Sequence, residues 1–178
     1  NQTYKGAEEE YMNSMIYADE ELHKFLENCK KEDWYKNTLF VIVADHGHTT
    51  PVNSDPNQGV YFHIPLLFFG EVLKPEWRGK VNETICNQHD IVGTLLAQMK
   101  GDVSRYPWSK NILNPTAQGF ALHTVTRGYG WVNPYGDFSY NLDLKDYLNQ
   151  NMPPDKMPEA AKQCKGYLVE LYRNYKAL

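Results

Sequence analysis

Apolar positions fall in two rhythms along this chain. Between residues 8 and 30, Met12, Met15, Ile16, Leu22, Phe25, Leu26 and Cys29 recur every three or four positions. That spacing predicts an amphipathic helix with a single apolar stripe. Asp19 falls on the stripe, where a buried carboxylate capping a neighbouring loop is expected, with a functional acid as the alternative. Residues 34–37 then read as a turn into an unbroken apolar run, 39–44, rich in β-branched and aromatic side chains. The run predicts a strand buried on both faces, as in the parallel centre of an α/β sheet.

Residues 49–59 (TTPVNSDPNQG) carry loop chemistry. A second buried strand is predicted over 64–69, closed by Gly70, with Pro65 at its start or on an unpaired edge. Residues 71–86 read as surface connection. Ile91, Val92, Leu95, Leu96 and Met99 predict a second amphipathic helix from Asp90, stopped by Gly101 in a left-handed conformation.

The order helix, strand, loop, strand, helix predicts α/β layering. From Tyr106 the rhythm changes to partial alternation broken by the turn signals 128–130 and 134–137, which predicts a small antiparallel meander over 106–142. Pro158 suits a helix first turn, and Ala161, Cys164, Leu168, Leu171 and Tyr175 predict a final helix over 158–176.

With 178 residues, one domain spanning 1–178 is expected, with its α/β core at 8–101. The net charge of −4 and the lack of any Lys/Arg block give no footprint for nucleic acid. No apolar run approaches the roughly 20 residues that cross a bilayer. The polar, acidic opening NQTYKGAEEE is no signal peptide, and a start without methionine reads as a processed or cut chain. Three widely spaced cysteines allow at most one disulfide and no cysteine zinc site; all three are expected as small buried hydrophobes.

The chemistry concentrates where the first strand ends, at Asp45-His46-Gly47-His48. Open α/β sheets place ligands past the carboxyl ends of their strands. Neighbouring strand residues point to opposite faces, so Asp45 and His46 can grip one ion only if the strand already breaks there, a break Gly47 permits. A carboxylate and a neutral imidazole suit zinc or manganese, and two ligands are too few for a closed site. His63, at the mouth of the second strand, is a candidate third ligand, and His48 a ligand or a contact to a substrate anion. The alternative is a loop hydrogen bond or helix cap. Thr49 and Thr50 are candidate hydroxyl nucleophiles beside a metal, with a plain loop role, or contact of one with a phosphate oxygen, as the alternatives. His23, His89 and His123 are expected to be structural or exposed.

The blocks NTLFVIVADHGH, HIPLLFFG and NQHDIVGTLLAQM, in that order, resemble the sulfatase branch of the alkaline phosphatase superfamily. Within it they look most like the lipoteichoic acid synthase-like phosphoglycerol transferases. The lead-in YMNSMIYAD and the later WSKNIL, GYGWV and GDFSY stretches add to the likeness, which covers roughly residues 8–142. The resemblance implies the carboxyl-terminal part of an alkaline phosphatase-like sheet flanked by helices. It also implies a metal-dependent transfer at phosphorus or sulfur through a covalent phospho- or sulfo-enzyme.

Carried over by position, Asp45 and His46 match metal ligands for Mn²⁺, Zn²⁺ or Mg²⁺. His63, His48 and Thr50 match substrate-side positions, His63 as ligand or substrate contact. The family's nucleophile and first acidic ligand lie upstream of the segment corresponding to this chain. The implied partners are therefore a phosphate- or sulfate-ester substrate and the missing amino-terminal half of the domain, without which this piece is expected to be silent. The resemblance further implies a domain outside the cytoplasm of a bacterium, joined to the membrane only through absent segments. The competing readings are a sulfatase or phosphodiesterase of the same superfamily, and a non-catalytic binding domain.

Overall fold

The computed structural model describes residues 6–49 and 54–178, and it is an α/β structure. Its contacts divide the chain into two units, Asn1–Ser54 with His63–Val81, and Asp55–Phe62 with Asn82–Leu178. The helix beginning at Asp90 thus belongs with the meander, not with the first two strands.

In the first unit, α1 (Ala7–Cys29) opens with Glu8, Glu9 and Glu10 against the positive end of its dipole. Its polar side carries Glu21–Lys24 and Glu27–Lys30 pairs one turn apart. Cys29 is buried, whereas Met15, Ile16, Leu22 and Phe25 are exposed. Asp19 is exposed too, so the expected buried cap is not found. A 3-10 turn, Asp33–Asn37, leads into β1 (Phe40–Val43), which pairs with β2 (Leu66–Phe69) from Phe40↔Phe69 to Val43↔Leu66.

This pairing is antiparallel, against the parallel and doubly buried strand expected. Val43 and Leu67 remain exposed. An apolar run records what a strand can bury, not the direction of its neighbour. Phe40 stacks on Phe69 with ring centroids 4.9 Å apart, and Tyr35 leans on Phe40 from the turn. Pro65 lies just before β2, where its missing N–H costs nothing in the ladder. Gly70 takes φ 140°, and a Cβ there would strike the Thr38 carbonyl.

In the second unit, α2 (Asp90–Gln98) ends as predicted, but the left-handed residue is Lys100 (φ 56°), not Gly101. Gly101 N–H instead donates to the Leu96 carbonyl at 2.8 Å. Residues 106–120 form no strand. The meander runs through β3 (Ala121–Val125), β4 (Gly128–Asn133), β5 (Gly136–Asn141) and β6 (Asp146–Asn151), each antiparallel to the next. Gly128 and Gly130, expected in a turn, lie inside β4, and the β3–β4 turn falls on Thr126-Arg127, with Arg127 at φ 55°.

One face of the sheet carries the row Leu122–Trp131–Phe138 and packs on α3 (Met157–Lys176). Trp131, Phe138, Ala160 and Cys164 are the buried core there, and Phe120 stacks on Trp131 at 4.6 Å. Burial pushes the Cys164 thiol up to about 12. The opposite face carries His123, Gly130, Ser139 and Asn149 in one row, with Asp137 beside them. On this face the Gly59 N–H of the 3-10 turn Gly59–Phe62 donates to Asp137, and Phe62 stacks on His123. All three cysteines are free; Cys29 and Cys164 are buried as expected, and Cys86 only partly so.

Candidate functional site

The last rung joining β1 to β2 is the Ala44 N–H to the Pro65 carbonyl, 3.4 Å. The chain then bends at Asp45 and His46, as two neighbouring residues must if they are to face one point. Asp45 Oδ1 accepts the His46 backbone N–H at 2.9 Å, which fixes the carboxylate. His46 Nδ1 lies 2.8 Å from the Gly47 carbonyl oxygen. A carbonyl can only accept, so Nδ1 carries a proton, and in the neutral ring Nε2 is the nitrogen with the lone pair. That is the ring arrangement of a metal-ligating histidine, whose second nitrogen donates to a backbone carbonyl.

Asp45 Oδ2 and His46 Nε2 then face each other at 3.5 Å. With the imidazole neutral, both atoms present lone pairs, and a proton or a cation between them reconciles the two. Two ligands at about 2.0–2.1 Å from a tetrahedral ion stand roughly 3.4 Å apart. The pair therefore fits one divalent cation, and both side chains are mostly exposed, leaving room for further ligands.

The other predicted residues are placed less tightly. His48 stacks on Tyr11 of α1, centroids 4.5 Å apart and planes within 10°. His63 is exposed just before β2. It precedes β2 and His46 follows β1, whose last pair is Val43↔Leu66, so both belong to the same end of the ribbon. Among the described residues, however, no three His, Cys, Asp or Glu side chains converge as a metal-binding group. Thr49 is exposed, and Thr50 lies outside the described residues.

Two polar clusters in the second unit were not singled out by sequence reasoning. Asp90 is fully buried; its carboxylate accepts the Asn87 and Lys110 backbone N–H groups at 2.8 and 2.7 Å and meets Lys110 Nζ at 3.1 Å. His89, expected to be structural or exposed, sits beside it with Nε2 3.7 Å from Asp90 Oδ1. His123 is buried, and that burial holds its imidazole down to about 4 against the pull of Asp137. An Asp that opens a helix hints at the first cluster. Nothing in an alternating strand marks the second.

The sulfatase family model matches residues 2–101 of the chain. A phosphopentomutase of Helicobacter pylori strain ATCC 700392 / 26695 is 31% identical over 104 residues, 58% of this chain and 22% of that protein. The phosphopentomutase of strain P12 is 30% identical over the same length. A protein in the alkaline phosphatase superfamily from Vibrio parahaemolyticus has a similar fold, with a TM-score of 0.69 at 20% identity. The match covers 98% of this chain and 45% of the Vibrio chain. The chain thus spans about a fifth of the curated relatives and less than half of the structural neighbour.

Proposed function

This chain belongs to the sulfatase family, and on that premise we propose that it supplies half of a divalent-cation site to an enzyme acting on phosphate esters. Asp45 and His46 hold the ion, the one through Oδ2 and the other through Nε2. A bound Mn²⁺, Zn²⁺ or Mg²⁺ supplies Lewis-acid charge next to the ester. Of the residues here, Asp45 keeps its second oxygen on the His46 N–H, and the Gly47 carbonyl fixes which imidazole nitrogen is available. His63 stands at the same ribbon end to add a ligand or to meet the ester oxygens, with His48 and Thr50 on the substrate side.

The reaction we propose is transfer of a phosphoglycerol or related phospho-alcohol group through a covalent phospho-enzyme. The nucleophile and the remaining metal ligands come from residues outside this chain, and so does any membrane anchor of a domain working outside the cytoplasm of a bacterium. None of the helices described is long and apolar enough to cross a membrane. The likeness to phosphopentomutases favours phosphorus over sulfur as the reacting centre. A sulfatase or phosphodiesterase activity is the second reading.

The observation that carries the proposal is the 3.5 Å approach of Asp45 Oδ2 to His46 Nε2, with Nδ1 committed elsewhere. Titrating Mn²⁺ or Zn²⁺ into the whole protein tests it. Asp45→Ala is expected to weaken binding at least tenfold and to abolish phosphoryl transfer; unchanged affinity overturns the metal role of this corner.

A further inference from the structure

The face of the meander away from α3 holds more unsatisfied polar chemistry than packing requires. His123, Gly130 and Ser139 are direct cross-strand partners on β3, β4 and β5, so their side chains share one face. Gly130 is needed in the middle, since a Cβ there would run into the His123 ring. Neither ring nitrogen of His123 has a hydrogen-bond partner, and nor does the fully buried Ser139 Oγ. Buried polar atoms are rarely left so, and each exception asks for a reason.

Over this face lies the 3-10 turn Gly59–Phe62. The Gly59 N–H donates to Asp137 Oδ2 at 2.9 Å, and the Phe62 ring lies on the His123 imidazole with centroids 3.9 Å apart and planes within 25°. Asp137 is also bonded by Asn149 and, at 3.2 Å, by Asn151, so its carboxylate is committed to three neutral donors, on the turn and on β6, rather than to His123. The turn is thus held by a carboxylate hydrogen bond, a ring stack and the close approach of buried Gly59 to Val132. The stack rests on a group that can gain a charge.

We propose that the turn Gly59–Phe62 is an acid-released latch: neutral His123 and Asp137 hold the segment 55–62 on the sheet, and a proton on His123 frees it. An imidazolium in this place would carry two N–H donors with no acceptor, under an apolar ring, and opening the turn gives both to water. Of the titratable groups on the surrounding elements, Asp137 of β5 favours the proton and is outweighed by burial. Tyr61 sits on the turn itself, and Asp146 of β6 is exposed at the far end of the face. The latch is separate from the metal chemistry proposed for Asp45 and His46, and its outcome does not depend on that chemistry.

Hydrogen exchange of the full chain, corrected for the intrinsic pH dependence of exchange, tests the latch. If His123 titrates at about 4 when closed and near 6.5 when open, opening of 55–62 rises about 30-fold between pH 7.5 and pH 5, while β3–β5 stay protected. His123→Phe keeps the stack without the proton and is expected to give pH-independent exchange. His123→Gln, neutral throughout, gives the same flat profile if the Phe variant fails to fold. Protection of 55–62 that does not change between the two pH values overturns the latch. So does acid release that persists in either variant, or opening of the whole sheet together with the segment.

Discussion

Lys110 Nζ reaches Asp90 Oδ2 at 3.1 Å where Asp90 is fully buried and the Lys110 side chain is 17% exposed. The same ammonium donates to the Phe120 carbonyl at 2.8 Å and lies over the Phe120 ring, 3.6 Å from its centroid. One lysine therefore neutralises the carboxylate that anchors the start of α2 and touches the aromatic cluster packed on α3. Truncating it leaves a buried carboxylate with its hydrogen bonds and only the His89 imidazole, 3.7 Å away, beside it. Lys110→Met is expected to destabilise by about 3–5 kcal/mol, measured by urea unfolding at pH 7. A loss below about 1 kcal/mol would mean the pair acts as an exposed one does.

Phe138 gives a second, purely steric expectation. It is 1% exposed, lies edge-on to Tyr147 at 5.7 Å, and belongs to the cluster of Trp131, Ala160 and Cys164. Phe138→Ala should cost about 3–5 kcal/mol through lost transfer energy and the cavity left behind. The same denaturation measurement checks it, and a near-neutral effect would show that α3 collapses into the gap.

His123 makes global stability depend on pH in a defined direction. Its imidazole titrates at about 4 in the folded chain against 6.5 when unfolded. Between those values the unfolded state binds the proton and the folded state does not. The contribution is complete above pH 6.5, falls as the pH drops toward 4, and changes no further below. The shift corresponds to about 3 kcal/mol. Between pH 7 and pH 4.5 the native chain should lose about 2–2.5 kcal/mol more unfolding free energy than His123→Gln does. Parallel slopes would assign the acid lability to other groups.

Helix rhythm was the most legible feature of the sequence. α1, α2 and α3 begin and end within a residue or two of their predicted limits because three- and four-residue spacing and Pro158 are local signals. Strand neighbours were not legible. The run 39–44 says nothing of direction, and β6 (DYLNQN) escaped because only Tyr147 and Leu148 of its six residues are apolar, while Asn149 and Asn151 bond to Asp137 on the other face. Lys100 takes the left-handed position expected of Gly101, an override that only backbone geometry reveals. At the candidate site, the adjacency of Asp45 and His46 could be read from sequence, but the hydrogen bond that selects Nε2 could not.

That hydrogen bond yields the sharpest expectation. A neutral histidine in water exchanges between two ring tautomers, and the Gly47 carbonyl at 2.8 Å selects the one protonated at Nδ1. Nitrogen-15 spectra of the full chain at pH 8 should therefore show His46 chiefly in that form. Adding Zn²⁺ should shift Nε2 and leave Nδ1 in place, because the Nδ1 proton stays on the carbonyl while the lone pair facing Asp45 Oδ2 is taken up. Asp45→Asn keeps the shape and removes the charge. It should leave the tautomer unchanged and weaken the zinc-induced shift at equal metal concentration. If the tautomer instead proves Nε2-protonated, the proton lies between Nε2 and the Asp45 carboxylate, and the corner is an ordinary loop hydrogen bond with no lone pair for an ion.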